Sequence, residues 1–197
     1  MAKPKAPLFS FGARGQLGKA IVYFPWKGVE CAREYVIPTN PRTTAQTTQR
    51  NRLTAAVLEF HGAAYSADDV GAWTRYASVL EKVMTGFNAM CREFIKEAIV
   101  GNVWKRLHHI AVTAVTSTGF KAEISLPDAD ATPYIHWGTR KTYMPNMASM
   151  DVTTPATPSY TFTGLTPNTL YYFYIDVGTR KTNYGRTGIY WQRTLAA

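Results

Sequence analysis

Apolar positions along the chain change their period twice, and each change marks a boundary. Two extended apolar stretches, Ala20-Ile21-Val22-Tyr23-Phe24 and Val29-Glu30-Cys31-Ala32-Arg33-Glu34-Tyr35-Val36-Ile37, flank Pro25-Trp26-Lys27-Gly28. Two such runs around a turn with glycine in last place predict a β-hairpin. A lone hairpin is marginal in water, so it needs a surface to pack on, either the rest of the chain or another subunit. Ahead of it, Phe9, Phe11, Gly12, Gly15 and Gly18 compose a flexible arm with aromatic anchors. Pro38-Thr39-Asn40-Pro41 ends the extended part, because a residue before proline avoids the helical region.

From residue 43 the spacing becomes helical. Leu53, Val57, Phe60 and Ala64 make one apolar stripe. Ser66-Ala67-Asp68-Asp69 has the form of a capping box, and Val70, Trp73, Ala77 and Leu80 follow on one face. After the interruption at Thr85-Gly86, Phe87, Met90, Phe94 and Ala98 form a third stripe, stopped by Gly101. Three helices in about 60 residues enclose only a small core. Packing is therefore the simplest role for Trp73, Phe87 and Met90.

Beyond residue 104 the pattern turns to alternation. Predicted strands are Ile110–Val115, Phe120–Leu126, Tyr134–Trp137, Tyr160–Phe162, Leu170–Val177 and Gly188–Thr194, with turn signals such as Thr118-Gly119 and Pro127-Asp128 between them. Short strands at this spacing over about 90 residues predict an antiparallel β-sandwich. The expected fold is α+β in three parts: a basic arm with hairpin (1–42), a three-helix middle (43–103) and a C-terminal sandwich (104–197).

Composition agrees with an ordered globular chain, with 46% hydrophobic and 18% charged residues over 197 positions. The net charge of +9 is uneven. Residues 1–50 hold eight basic and two acidic side chains (+6), against +1 for 51–107 and +2 for 108–197. A basic N-terminal quarter suits an acidic partner, or serves as a solvated tail. No apolar run reaches membrane-span length, and Met1–Gly15 lacks a signal-peptide core, so synthesis in the cytoplasm is expected.

Candidate chemistry is sparse. His61, His108, His109 and His136 have no metal-ligand spacing with Cys, Asp or Glu, and Cys31 and Cys91 read as small buried residues. Phosphate loops, dinucleotide fingerprints and nucleophile elbows are missing from the sequence. Asp68-Asp69 reads as helix capping rather than a paired-carboxylate site. No catalytic residue, cofactor or metal is expected, and the chain is expected not to be an enzyme.

Two resemblances add to this reading. Leu165, Pro167, Thr169, Tyr171, Phe173 and Ile175 fall in the register of fibronectin type III domains, which the stretch Ser159–Val177 resembles. The resemblance implies that Tyr171 is the tyrosine-corner residue. Many members carry a tryptophan in the second strand, where Phe120-Lys121-Ala122-Glu123-Ile124 has none. If Tyr171, Phe173 and Ile175 point inward, Tyr172, Tyr174 and Asp176 point outward, and the two tyrosines offer a contact face. Gly138-Thr139-Arg140-Lys141-Thr142 recurs as Gly178-Thr179-Arg180-Lys181-Thr182. In such a topology the two copies lie at opposite ends, each presenting Arg and Lys, although chance repetition of turn residues is the simpler explanation.

The second resemblance lies in Trp26-Lys27-Gly28, Arg33 and the skeleton Asn40-Pro41-x-Thr43-x-x-Gln46-x-x-x-Arg50. It is similar to a pattern in uncharacterised proteins of tailed bacteriophages and prophages, and Ala72-Trp73 with Met84-Thr85-Gly86-Phe87-Asn88 also resembles such proteins. It implies a structural virion protein: a capsid decoration, minor head or neck component, made in the host cytoplasm and located in the particle. The expected partners are other virion proteins, major capsid or neck proteins, together with further copies of the chain. No membrane partner is expected. Phe9, Phe11, Lys19, Trp26, Lys27 and Arg33 are the expected contacts, with Tyr172 and Tyr174 as a second, weaker face. The alternatives are a nucleic-acid-binding protein using the basic N-terminus, which is less favoured, and a surface adhesin or carbohydrate-binding module using Trp137, Tyr143, Tyr184, Tyr190 and Trp191.

Overall fold

The structure is a computed structural model that describes residues 14–37, 39, 42–127, 132–152, 156–178 and 182–197. Its contacts divide the chain into two compact units, with the boundary between Thr43 and Thr44.

In the first unit, β1 (Gly15–Leu17), β2 (Ile21–Trp26) and β3 (Val29–Glu34) form an antiparallel sheet in that order. The hairpin turn is the two-residue Lys27-Gly28, with φ of 50° and 79°. This is the mirror-image turn whose twist matches the flanking strands, and it needs glycine where φ is most positive. Trp26 pairs with Val29, so Trp26 ends β2 and lies outside the turn. β1 corrects the expectation of a wholly flexible arm: Gly15, Gln16 and Leu17 pair with Tyr23, Val22 and Ile21. Three residues are too few to show a period in sequence. Phe9, Phe11, Pro38, Asn40 and Pro41 lie outside the described residues.

The second unit opens with α1 (Thr44–Gly62), α2 (Ala67–Ala77) and α3 (Gly86–Val100). Ser66 and Asp69 make the reciprocal capping box at the start of α2. Thr85 caps α3, and Gly101, at φ 92°, ends it in the left-handed conformation. The stripe expected on α1 is only partly right. Leu53 is 51% exposed and Ala64 turns to solvent, whereas Ala56 and Ala63 are buried. The first half of α1 is largely exposed, and the buried positions, Ala56 and then Ala63 just beyond the helix, fall toward its C-terminal end. On α2, Val70 is exposed while Trp73 and Ala77 are buried. Phe60 meets Phe87 edge-on at 4.9 Å, and Ala89, Met90 and Cys91 fill the centre of this cluster.

The rest is a β-sandwich of the fibronectin type III kind, antiparallel except for one short edge strand. One sheet has the order β5-β6-β9, from β5 (His108–Thr113), β6 (Phe120–Ser125) and β9 (Ser159–Phe162). The other has the order β4-β11-β10-β7-β8, with β12 also on β10. Its members are β4 (Val103–Trp104), β7 (Pro133–Gly138), β8 (Asn146–Ser149), β10 (Leu170–Val177), β11 (Asn183–Arg186) and β12 (Tyr190–Arg193). Alternation on β10 buries Tyr171, Phe173, Ile175 and Val177. Phe120 packs on Phe162 at 4.3 Å and Phe173 at 5.8 Å, so a phenylalanine cluster fills the second-strand region of the core. The hydroxyl of Tyr171 accepts from the Thr166 N–H at 3.0 Å, forming the tyrosine corner.

Helix α2 docks where both sheets are irregular. The register of β5 shifts between His108 and Ala111, and His109 sits at φ 55°. The shift turns the N–H groups of His109 and Ile110 toward Asp69, at 2.8 and 3.4 Å. In the other sheet, Thr187–Ile189 separates β11 from β12. There Ile189 N–H donates to the Ala72 carbonyl at 2.9 Å, and Arg75 Nε donates to the Ile189 carbonyl at 2.7 Å. The Tyr190 hydroxyl donates to Asp69 Oδ1 at 2.6 Å. Burial and the facing Asp69 push that hydroxyl well above the ordinary tyrosine range, so it stays a donor. Arg106 adds a two-pronged bond to Glu59 on α1, both contacts at 2.7 Å.

Two substitutions test this docking. Asp69→Ala strands buried donors and is expected to cost upward of about 3 kcal/mol; Asp69→Asn, which keeps the volume, costs less. A Cβ on Gly188 would lie 2.3 Å from the α2 backbone at Ala72 and Trp73, so Gly188→Ala costs about 1–3 kcal/mol. Urea unfolding midpoints measure both.

Candidate interaction surfaces

The N-terminal sheet carries apolar side chains on both faces. Cross-strand pairing puts Phe24 with Cys31 and Trp26 with Val29 on one face, and Tyr23 with Ala32 on the other. Among the described residues of this unit Cys31 alone is buried. Trp26 is 57% exposed, and Leu17, Val29, Val36 and Ile37 are also open. Lys19 and Lys27 occupy the two turns, and Arg33 places its guanidinium 5.4 Å from the Phe24 ring centroid. Trp26, Lys27 and Arg33 therefore lie on one hairpin, with Lys19 at the opposite turn.

Tyr172 and Tyr174 are placed differently from expectation. They do point to the outer face of β10, but that face is not open. Both are half-buried, and Tyr172 packs against the helical cluster. Tyr174 stacks on His136 at 4.5 Å with the rings 5° from parallel, and the Arg186 guanidinium lies 4.8 Å from its centroid. The covering helices could not be seen in the alternation of β10 itself.

The aromatic residues weighed for sugar binding are mostly inward. Tyr184 and Tyr190 are buried, and Trp137 packs on Tyr160 and Phe162. Tyr143 and Trp191 stay exposed.

Polar chemistry concentrates at the junction of helices and sandwich. Asp69 was legible as a cap, but its bonds to residues 109, 110 and 190 had no local signal. His109 Nε2 lies 2.8 Å from the Ala64 carbonyl, and His108 Nδ1 is buried without a hydrogen-bond partner among the described residues. His136 Nε2 meets Asp176 Oδ1 at 3.2 Å. Cys31 and Cys91 are free and buried, and burial pushes the Cys91 thiol up. Among the described residues no three His, Cys, Asp or Glu side chains stand close enough to hold a metal ion. No helix among them is long and apolar enough to cross a membrane.

No protein-family model matches the chain, and neither does any curated protein. Solved structures match its sandwich half. The sensor domain of the anti-sigma factor RsgI4 of Pseudobacteroides cellulosolvens is 17% identical, covering 47% of this chain and 76% of that one, with a TM-score of 0.36. The FN5 domain of Drosophila Lar is 22% identical, covering 49% and 99%, with a TM-score of 0.35. A computer-redesigned β-sandwich protein is 21% identical, covering 46% and 90%, with a TM-score of 0.36.

The His108 environment gives a pH prediction. Burial lowers its proton affinity below the ordinary imidazole value of 6.5, helped by His109 and Arg106 and opposed by Asp69 and Glu59. The unfolded chain therefore takes up the proton first. Stability is full above pH 6.5 and falls as pH drops below it. His108→Gln is expected to flatten the slope of unfolding free energy against pH below that value, measured by urea titrations across the range.

Proposed function

We propose that the chain is a non-enzymatic structural component of a bacteriophage particle, a capsid decoration, minor head or neck protein, which docks on other virion proteins through its N-terminal segment. The observation that carries this reading is the sheet of β1, β2 and β3. It forms a unit of its own, carries apolar side chains on both faces and buries almost none of them. An isolated small sheet is marginal in water, and exposed apolar patches ringed by charge mark contact sites. The +6 charge of residues 1–50 suits an acidic protein face. The phage-like pattern spans this same segment and continues into α1. In this reading the helices and sandwich form the rigid body carried by the docked segment.

Quantitative mass spectrometry of particles purified from the source tests it. A fixed copy number is expected, because closed symmetry sets it: on the order of hundreds for a capsid surface, about five to twelve for a neck or single vertex. Absence from particles overturns the reading. Trp26→Ala with Arg33→Ala, both exposed, is expected to cut incorporation about tenfold while leaving the thermal midpoint unchanged.

A further inference from the structure

Outside the N-terminal sheet, the second unit holds a shallow groove of about 250 Å³ between the end of α2, the loop after β7 and β11. Arg186 and Lys141 line it, with Tyr76, Tyr174, Val79 and Met144, and no carboxylate is among its described lining residues. The Arg186 guanidinium is clamped between two rings, 4.2 Å from the Tyr76 centroid and 4.8 Å from that of Tyr174. Its Nε donates to the Thr187 carbonyl at 3.3 Å and its Nη1 to the Tyr76 hydroxyl at 3.4 Å. Among the described residues no hydrogen bond engages Nη2, and the clamp has already fixed the planar fork. Across the groove, Lys141 Nζ donates one of its three hydrogens to Ser78 Oγ at 3.1 Å. Asp176, the cross-strand neighbour of Arg186, is taken by His136 Nε2 at 3.2 Å, and Glu93 is taken by the Tyr76 hydroxyl at 3.0 Å and by Lys96 at 3.0 Å.

We propose that this groove is a second docking site, which takes an acidic side chain and the apolar residue beside it from an extended segment of a partner protein. The carboxylate fits between the Arg186 fork and the Lys141 ammonium, where a planar anion matches a pre-oriented guanidinium. The neighbouring apolar side chain fits on Val79 and Met144. A nucleic acid is disfavoured by the same facts: a phosphodiester backbone needs a track of cations, and the described lining residues supply two. Lys141 and Thr142 lie in the loop after β7. The site is independent of the N-terminal contact.

The test uses the isotope-labelled full chain and a blocked hexapeptide of alternating leucine and glutamate. Its glutamine counterpart and a ten-residue oligothymidylate are the controls. The glutamate peptide is expected to shift the Arg186 Nε–H signal and the amides of Thr142 and Met144, with a Kd of about 1 mM or tighter. Raising salt from about 50 to about 300 mM should weaken it several-fold. Lys141→Gln, at an exposed position, should weaken it at least about threefold with an unchanged thermal midpoint. Equal binding of the glutamine peptide, shifts confined to other surfaces, or no shifts at about ten times the expected Kd overturns the proposal. Shifts from the oligothymidylate alone overturn it in favour of nucleic acid.

Discussion

The second unit depends on one buried carboxylate. Asp69 is fully buried, and its two oxygens accept from the Ser66, His109 and Ile110 N–H groups and from the Tyr190 hydroxyl. Those donors come from the start of a helix, a bulge in the first sandwich sheet and a strand of the second. A buried acceptor is favourable only when its donors are all present, so Asp69 demands that three elements arrive together. The neighbouring contacts follow from that demand. Ala72 enters the sandwich core and Ile189 enters the helical cluster, so the two apolar interiors are stitched through a single helix.

How much of this could be read beforehand depended on the range of the cause. The capping box at Ser66–Asp69, the alternation of Leu170–Val177 and the tyrosine corner at Tyr171 are local patterns, and each could be read from neighbours along the chain. β4, β8 and β11, of two to four residues each, could not. They are short and carry little apolar alternation; β4, for example, is held by its parallel pairing with β11, where Asn183 and Tyr184 meet Val103 and Trp104. The same holds for the candidate surfaces. The exposure of Trp26 and Arg33 can be read from the sequence, because a hairpin displays its own faces. Tyr172 and Tyr174 are half-buried because Tyr172 packs against the helical cluster and Tyr174 is flanked by His136 and Arg186, neighbours that the alternation of β10 does not reveal.

The two proposed contacts differ in kind. The N-terminal sheet offers broad apolar area with scattered charge, an arrangement suited to burial in a permanent assembly. The Arg186 groove is small, charged and pre-organised, and it favours recognition of a single acidic position over area. A chain anchored by the first and selective through the second would hold one neighbour firmly and choose another.

The span between Asp69 and Tyr190 also has a consequence in time. The two residues are 121 positions apart. At ordinary rates of synthesis that gap takes about 6 to 24 s to traverse. Throughout it, α2 has been made but the strand that receives it has not. Ala72, which ends fully buried in the sandwich core, has no sandwich to cover it in that interval. Docking of this helix therefore closes the fold of the second unit rather than starting it, and a nascent chain halted short of Tyr190 presents that apolar face to whatever is nearby.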